Sequence, residues 1–343
     1  MLMTMPSQIH LHDKAAYLHH FTRKINYQHH TQQEGKTMKL LLTGAAKYTE
    51  EQLHILKAKG FEITFVQNEL EKLDIDCSQF DAVVCNNLFL HNPPEEFTNL
   101  KAVQLTSVGF DRVPVGYFAS KGIALFNARG VYSAPMAEWV VLKILEIYKS
   151  SAQFYAQQKK KIWQKHRDLL ELTDKRILIV GAGSVGTECA KRLHAFGAKI
   201  LAADIYDKGC EYIDEFHPME ELSDILPTAD VVVLTLPLTE KTKGLFDKET
   251  LSLMKDDSVL VNVSRGPIID EESLSDILAE GKFLGVALDV FEEEPLSQAS
   301  PLWSNPRVII TPHNSFVSDG NTSRLFSLIC RNLAEFDFGK TTQ

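Results

Sequence analysis

Residues 176–186 read Arg-Ile-Leu-Ile-Val-Gly-Ala-Gly-Ser-Val-Gly, an apolar run followed at once by the pattern Gly-x-Gly-x-x-Gly. The run predicts a buried strand, and the apolar spacing after it predicts a helix that ends at Gly197. A glycine turn between a strand and a helix directs free backbone N–H groups and the positive end of the helix dipole to one point, which suits a dinucleotide pyrophosphate. A glycine-rich turn without a ligand is the alternative. The candidate contacts are Gly181, Gly183, Ser184, Val185 and Gly186.

The strand predicted after this helix ends at Asp204. A carboxylate at that position accepts hydrogen bonds from the adenosine ribose diol and repels a 2′-phosphate. The first basic residue after it is Lys208. The sequence therefore predicts NAD rather than NADP, with a solvated strand end as the alternative role of Asp204.

Short apolar runs alternate with helical patterns on both sides of this motif, which predicts parallel sheets covered by helices. Predicted strands of the first half lie at 39–43, 61–66, 81–84, 102–106 and 124–126. Those of the second half lie at 176–180, 199–204, 231–236, 258–263, 283–288 and 308–311. One long helix is expected over 133–160 and a last helix over 319–336. The expected fold class is α/β with two doubly wound parallel sheets.

The composition is that of an ordinary globular protein. The chain has 343 residues, 44% of them apolar and 24% charged, which excludes a disordered, collagen-like or coiled-coil chain and suggests two domains. The net charge of −9 argues against nucleic acid or an anionic membrane as a partner. No apolar run is long enough to predict a membrane helix.

Five cysteines form an odd set without a Cys-x-x-Cys pair. This pattern predicts reduced, buried thiols in a cytoplasmic protein and no metal site. Residues 1–37 are polar and hold six of the twelve histidines, which predicts an unstructured extension without a signal peptide. Met38 opens the first apolar run and is a candidate for the true start of the protein.

Three polar residues follow predicted strands of the second half: Arg265, Glu294 and His313. Each alone has an ordinary explanation as a surface ion pair, a solvated carboxylate or a loop histidine. In an open α/β sheet, however, ligands bind outside the carboxyl ends of the strands, so all three are expected in one crevice. Arg265 can grip a carboxylate in two-point fashion, and His313 can exchange a proton with an alcohol or ketone. Glu294 can orient the imidazole and stabilise its charged form.

These motifs resemble, in order, those of the D-isomer-specific 2-hydroxyacid dehydrogenase family. The resemblance covers about residues 39–338. It includes Gly181–Gly186, Asp204, Val263–Pro267, Ala287–Phe291, Glu294–Leu296, Pro301–Trp303 and Thr311–His313. It implies an NAD-dependent oxidoreductase that interconverts a D-2-hydroxy acid and its 2-keto acid. It also implies a Rossmann NAD-binding domain at 139–312, inserted into a flavodoxin-like substrate domain formed by 38–138 and 313–343.

The resemblance also implies roles for individual residues. Arg265 binds the substrate carboxylate and polarises the keto group, and His313, paired with Glu294, is the general acid and base. Asp289 bonds the nicotinamide carboxamide. The residues expected near the cofactor are Leu236, Pro237, Thr242, Val263 and Ser264. Val108 and Gly109 belong to the turn whose N–H groups hold the substrate carboxylate. A homodimer formed through the cofactor domain is expected.

Two questions stay open at this point. Corepressor relatives use the same fold as an NAD(H)-gated binding module with little turnover, and they keep the three catalytic residues. The segment Asn314–Phe316 also replaces the small apolar pair that usually follows the histidine. Because this segment borders the substrate, the sequence does not name the 2-hydroxy acid or the physiological direction.

Overall fold

The computed structural model of the protein describes residues 37–110 and 112–336. The extension predicted for residues 1–37 lies outside the described residues, apart from Thr37.

The first sheet is built from five parallel strands in the order β2-β1-β3-β4-β5. They are β1 (Met38–Thr43), β2 (Phe61–Val66), β3 (Ala82–Cys85), β4 (Ala102–Leu105) and β5 (Ala124–Phe126). Leu40 and Leu41 of β1 belong to different apolar clusters, because alternate residues of a strand face opposite sides of the sheet. Helix α1 (Glu50–Ala58) packs in one cluster and α2 (Val115–Ser120) in the other.

The second sheet has seven parallel strands in the order β12-β11-β10-β9-β6-β7-β8. They are β6 (Arg176–Val180), β7 (Lys199–Asp204), β8 (Glu215–Pro218), β9 (Val231–Leu234), β10 (Val259–Asn262), β11 (Gly285–Leu288) and β12 (Val308–Ile310). The strand order reverses between β6 and β9, and ligands bind at such reversals in open sheets.

Among the described residues, six α-helices accompany the second sheet. Helices α3 (Ser133–Tyr148) and α5 (Ser184–Ala195) cover one face, and α4 (Ser151–Lys159) follows α3. Helices α6 (Leu222–Ile225), α7 (Lys248–Leu253) and α8 (Glu271–Ala279) cover the other face. The predicted α/β fold class with two parallel sheets is therefore confirmed.

The last helix, α9 (Asn321–Glu335), returns to the first sheet. Its buried residues Leu325, Ile329 and Leu333 pack in the same cluster as Leu40 and Leu42. The Asn332 amide also donates a hydrogen bond to Gln104 of β4 at 2.7 Å. The chain therefore leaves the first sheet after β5, forms the second sheet and then returns, so that α9 packs on the first sheet.

Two predictions of local structure were wrong. The strand β8 was missed because it is a short edge strand whose residues are not fully buried. Its sequence therefore has no continuous apolar run that would predict a strand. The single helix expected over 133–160 is broken at Ser150, whose φ of 50° lies in the left-handed region and interrupts the helical backbone.

All five cysteines are free thiols, but only Cys77, Cys85 and Cys189 are buried. The expectation of uniformly buried thiols was therefore wrong for Cys210 and Cys330, which are partly exposed. Across the part of the chain that the structure describes, no helix is long and apolar enough to cross a membrane. Within 37–110 and 112–336, no cluster of ligand-type side chains is suited to a metal ion.

Candidate active site

Arg265, Glu294 and His313 follow β10, β11 and β12, which are neighbours in the second sheet. The structure brings the last two into direct contact, with His313 Nδ1 2.8 Å from Glu294 Oε2. Both side chains remain more than a third exposed. Because Nδ1 is engaged by the carboxylate, Nε2 is the nitrogen available to a substrate.

The backbone around His313 is held by Asp289. His313 has a φ of 50°, an uncommon conformation for a non-glycine residue, and its N–H donates to the Asp289 carbonyl at 2.7 Å. The fully buried Asp289 carboxylate accepts from the backbone N–H groups of Asn314 and Ser315 at 2.8 and 2.9 Å and from the Thr311 hydroxyl. All these donors belong to residues 311–316, which we call the histidine loop. Asp289 therefore fixes the backbone of this loop. The predicted contact of Asp289 with a carboxamide stays a prediction.

Glu294 is oriented by its own turn. Its Oε1 accepts the N–H of Phe291 at 3.1 Å, while Oε2 faces the histidine. The following peptide N–H, that of Glu292, donates to the Glu271 carboxylate at the start of α8. Glu294 therefore sits in a turn whose backbone is tied at two points.

Arg265 is placed by a short turn after β10. The buried Asn262 side chain accepts from the N–H and hydroxyl of Ser264 at 3.0 and 2.6 Å and donates to the Arg265 carbonyl at 3.2 Å. One guanidinium nitrogen of Arg265 donates to the Ser264 carbonyl. In the described ranges the guanidinium has no carboxylate partner, which leaves it available for an anionic group. Asn262 was missed in the sequence, although its position at a strand end was a usable signal.

The glycine turn after β6 has the geometry that a dinucleotide requires. Gly181 has a φ of 103°, and a Cβ on Gly186 would lie 2.1 Å from the Gly181 carbonyl oxygen, so the helix approaches the strand closely. A Cβ on Gly183 would meet nothing within 4 Å. No side chain caps the N-terminus of α5, so its N–H groups are available to a pyrophosphate. Thr235, missed in the sequence, supports the turn by donating to the Gly181 carbonyl at 2.6 Å.

Asp204 lies at the end of β7, as predicted, but it is not alone there. Its Oδ1 accepts the N–H of Ile205, and Lys208 Nζ lies 3.6 Å from Oδ2. The same ammonium reaches the Ala182 carbonyl at 3.4 Å, next to the glycine turn. The positive charge of Lys208 therefore partly offsets the negative charge of Asp204, on which the predicted preference for NAD depends.

The other residues predicted to contact the cofactor differ in whether their side chain or only their backbone is available to it. Leu236 and Val263 pack their side chains in the apolar core, so only their backbone can face a cofactor. Ser264 is buried and serves the Asn262 turn. Thr242 donates to the Pro237 carbonyl at 2.7 Å and shapes that loop.

The turn after β4 joins the histidine loop through aromatic contacts. Tyr132 donates to the Thr106 carbonyl at 2.5 Å and lies edge-on to Phe316, with ring centroids 5.7 Å apart. Phe316 in turn lies edge-on to His313 at 5.9 Å. Val108 and Gly109 continue this turn, and the Val108 carbonyl accepts from Asn127 at 2.7 Å. A cavity of about 330 Å³ lies beside Phe316, lined among others by Ala45, Tyr48, Tyr132, Asn321 and Leu325.

Comparison with known proteins identifies the family. Residues 141–315 match the profile described as "D-isomer specific 2-hydroxyacid dehydrogenase, NAD binding domain". The chain belongs to the D-isomer-specific 2-hydroxyacid dehydrogenase family. It is similar to a hydroxypyruvate reductase of Blautia hydrogenotrophica, with 31% identity covering 71% of this chain and 77% of the relative. It is also similar to a putative 2-hydroxyacid dehydrogenase of Haemophilus influenzae, with 32% identity covering 80% and 89%.

A solved structure supports the same assignment. A family protein from Aeromonas salmonicida superposes with a TM-score of 0.72 at 28% identity, covering 87% of this chain and 95% of that one. The chain is therefore an oxidoreductase that uses a nicotinamide cofactor to interconvert 2-hydroxy and 2-keto acids. The predicted family, reaction class and kind of cofactor are confirmed.

Proposed function

We propose that this protein reduces 2-keto acids to D-2-hydroxy acids with NADH, and catalyses the reverse reaction with NAD, using Arg265, Glu294 and His313. The observation that carries the proposal is the 2.8 Å contact between His313 and Glu294 at the strand ends beside Arg265. The bound cofactor supplies a hydride to the keto carbon. Protonated His313 gives its Nε2 proton to the keto oxygen, and Glu294 stabilises the imidazolium. Arg265 binds the carboxylate and the developing negative charge on the oxygen.

The domain division expected from the sequence is part of this proposal. A substrate domain formed by 38–138 and 313–343 is supported by the packing of α9 on the first sheet. A cofactor domain at 139–312 is supported by the seven strands between β6 and β12. The substrate then lies between the histidine loop and the turn at Val108 and Gly109, whose N–H groups bind its carboxylate together with Arg265.

The cofactor contacts proposed for this enzyme follow from the same geometry. The pyrophosphate lies on Gly183, Ser184 and the N-terminus of α5, where no side chain intrudes. Asp204 accepts the ribose hydroxyls and disfavours a 2′-phosphate. Because Lys208 lies beside Asp204, the preference for NADH over NADPH is expected to be moderate rather than absolute.

The side chain of the substrate is expected to be apolar. Val108, Phe110 and Phe316 leave large apolar surfaces exposed on the two loops that border the reacting group. Phe316 is close enough to His313 to contact the substituent of a keto acid bonded to Nε2. We therefore expect phenylpyruvate and 2-ketoisocaproate to be reduced with a higher kcat/KM than glyoxylate.

A homodimer in the cytoplasm completes the proposal. We place the interface at Trp163, whose side chain is 98% exposed, and at the exposed Tyr155 on α4, because a second subunit there would bury apolar surface of both residues. The free thiols fit a reducing compartment. Sedimentation of the purified protein tests the dimer, and Trp163→Ala is expected to weaken it.

The test of the function follows NADH absorbance with purified protein and a panel of 2-keto acids, with NADPH in parallel. Oxidation of NADH is expected, and His313→Gln should lower kcat by about 10²–10⁴-fold because it removes the proton donor. The matched control is His54→Gln, an exposed histidine on α1. Full turnover by the His313 variant would refute the proton-transfer role. Binding of NADH without turnover of any keto acid would favour a binding module instead.

A further inference from the structure

The segment from Arg265 to Glu271 contacts the peptide that joins Phe291 and Glu292 at two points. At one point, Gly266 packs directly on this peptide, since a Cβ there would lie 1.8 Å from the Phe291 carbonyl carbon and 2.4 Å from the Glu292 nitrogen. At the other point, the Glu271 carboxylate accepts the Glu292 N–H. The segment that carries Arg265 therefore also holds the turn that carries Glu294.

Glu271 is well placed for this contact because its backbone is fixed. It is the first residue of α8, and the helix is capped by Asp270, whose side chain accepts the Ser273 N–H at 2.9 Å. The helix is anchored in the core by Leu274, Ile277 and Leu278. The carboxylate thus extends from a rigid element towards a turn exposed to solvent.

A carboxylate at this position carries a cost. Partial burial raises the pKa of Glu271, and the negative charges of Glu292 and Glu294 raise it further, while the Glu292 N–H opposes them. Glu292 and Glu294 face it from the turn, and Glu294 in turn faces His313. Such an unfavourable environment is often kept at a functional site.

We propose that Glu271 is a positioning residue, which fixes the turn at Phe291 and Glu292 so that Glu294 stays aligned with His313. The inference rests on the proposed function of the His313–Glu294 pair. Glu271 touches neither substrate nor cofactor, and it acts through the backbone of the turn.

The experiment compares four variants in keto acid reduction. Glu271→Ala removes the acceptor, and Glu271→Asp keeps the charge but shortens the side chain. Both variants therefore lose the hydrogen bond that the Glu292 N–H donates to residue 271. Each is expected to lower kcat roughly tenfold with little change in the KM for NADH. Glu271→Gln keeps an acceptor oxygen and should stay within about twofold of the wild type. Glu272→Ala is the matched control, because Glu272 is the exposed next residue and its side chain has no hydrogen bond or ion pair in the described part of the chain.

The second readout is the NMR signal of the His313 imidazole at a fixed pH, assigned by its absence in His313→Gln. In the Ala and Asp variants this signal should shift, because Glu294 is no longer held in one position beside the imidazole, and it should be unchanged in the Gln and control variants. An Ala variant with wild-type kcat would overturn the proposal, as would a Gln variant as impaired as Ala or a loss of kcat with no change in the His313 signal. The NMR measurement does not need turnover, so it tests Glu271 even if no keto acid is reduced.

Discussion

Substitution of Gly266 by alanine should inactivate the enzyme, although it adds only one methyl group. A Cβ at this position would lie 1.8 Å from the Phe291 carbonyl carbon, 1.9 Å from its oxygen and 2.4 Å from the Glu292 nitrogen. All three atoms belong to the backbone, so no flexible side chain can move aside. The methyl group therefore separates the Arg265 turn from the Glu294 turn.

The size of the effect follows from these distances. Carbons that are not bonded pack at about 3.5–4.0 Å, so the two backbones must move apart by roughly 1.7 Å or more. A displacement of about 1 Å at a catalytic group costs on the order of 10²-fold in rate. We expect kcat/KM to fall about a hundredfold or more, with a loss of about 1–3 kcal/mol in the free energy of unfolding from overpacking.

Three measurements separate these consequences. NADH oxidation gives kcat/KM, fluorescence titration gives the affinity for NADH, and urea unfolding gives stability. NADH affinity should change less than kcat/KM, because the glycine turn proposed to hold the pyrophosphate follows β6, two strand positions from β10 and three from β11, whose turns the methyl group separates. The matched control is Gly116→Ala on α2, where a Cβ meets nothing within 4 Å. Wild-type turnover in the Gly266 variant would show that the two turns are not locked together.

Three further results are expected. Gly186→Ala should weaken NADH binding measured by fluorescence at least tenfold while sparing the Arg265 turn, because its Cβ would lie 2.1 Å from the Gly181 carbonyl oxygen; unchanged affinity would contradict the close approach. Phe316→Ala should lower the ratio of kcat/KM for phenylpyruvate to that for glyoxylate by roughly 10-fold, since it removes apolar contact beside His313; a constant ratio would place the side chain elsewhere. The pKa of Glu271 is raised in the folded protein, so folding favours the protonated form of this residue. Protonation therefore stabilises the folded protein below the ordinary pKa of 4.5, and this stabilisation is lost as pH rises. Glu271→Gln should therefore raise the Tm near pH 7 but not near pH 4, and an equal shift at both would contradict this sign.

The elements that could be predicted from sequence are those with a strong local signal. Strands β6, β9 and β10 are buried on both faces, so their apolar runs are continuous and bounded. The glycine pattern after β6 occurs where a strand must meet a helix, and its geometry follows from steric requirements. The shared crevice of Arg265, Glu294 and His313 follows from parallel strand direction alone, because all carboxyl ends of such a sheet lie at one edge.

The features that were missed depend on neighbours rather than on local pattern. Strand β8 pairs with β7 along one side only, so half-exposed residues such as Phe216 and His217 suffice and no apolar run is needed. The break at Ser150 is a single residue in the left-handed region, and helical sequence resumes directly after it, so the local pattern does not predict the interruption. The pairing of Lys208 with Asp204 depends on how the chain turns after β7.

The positioning of His313 and Glu294, the proposed catalytic pair, also depends on neighbours that lie far away in the sequence. His313 is held by Asp289 and Glu294 by Glu271, and each contact joins a side chain to backbone N–H groups more than twenty residues away. Any residue except proline supplies a backbone N–H, so the identity of Asn314, Ser315 or Glu292 carries no signal for these bonds. Only the acceptor must be an acidic or amide side chain of the right length. The geometry of this active site therefore constrains Asp289, Glu271 and Gly266 more tightly than it constrains the residues of the turns that they hold.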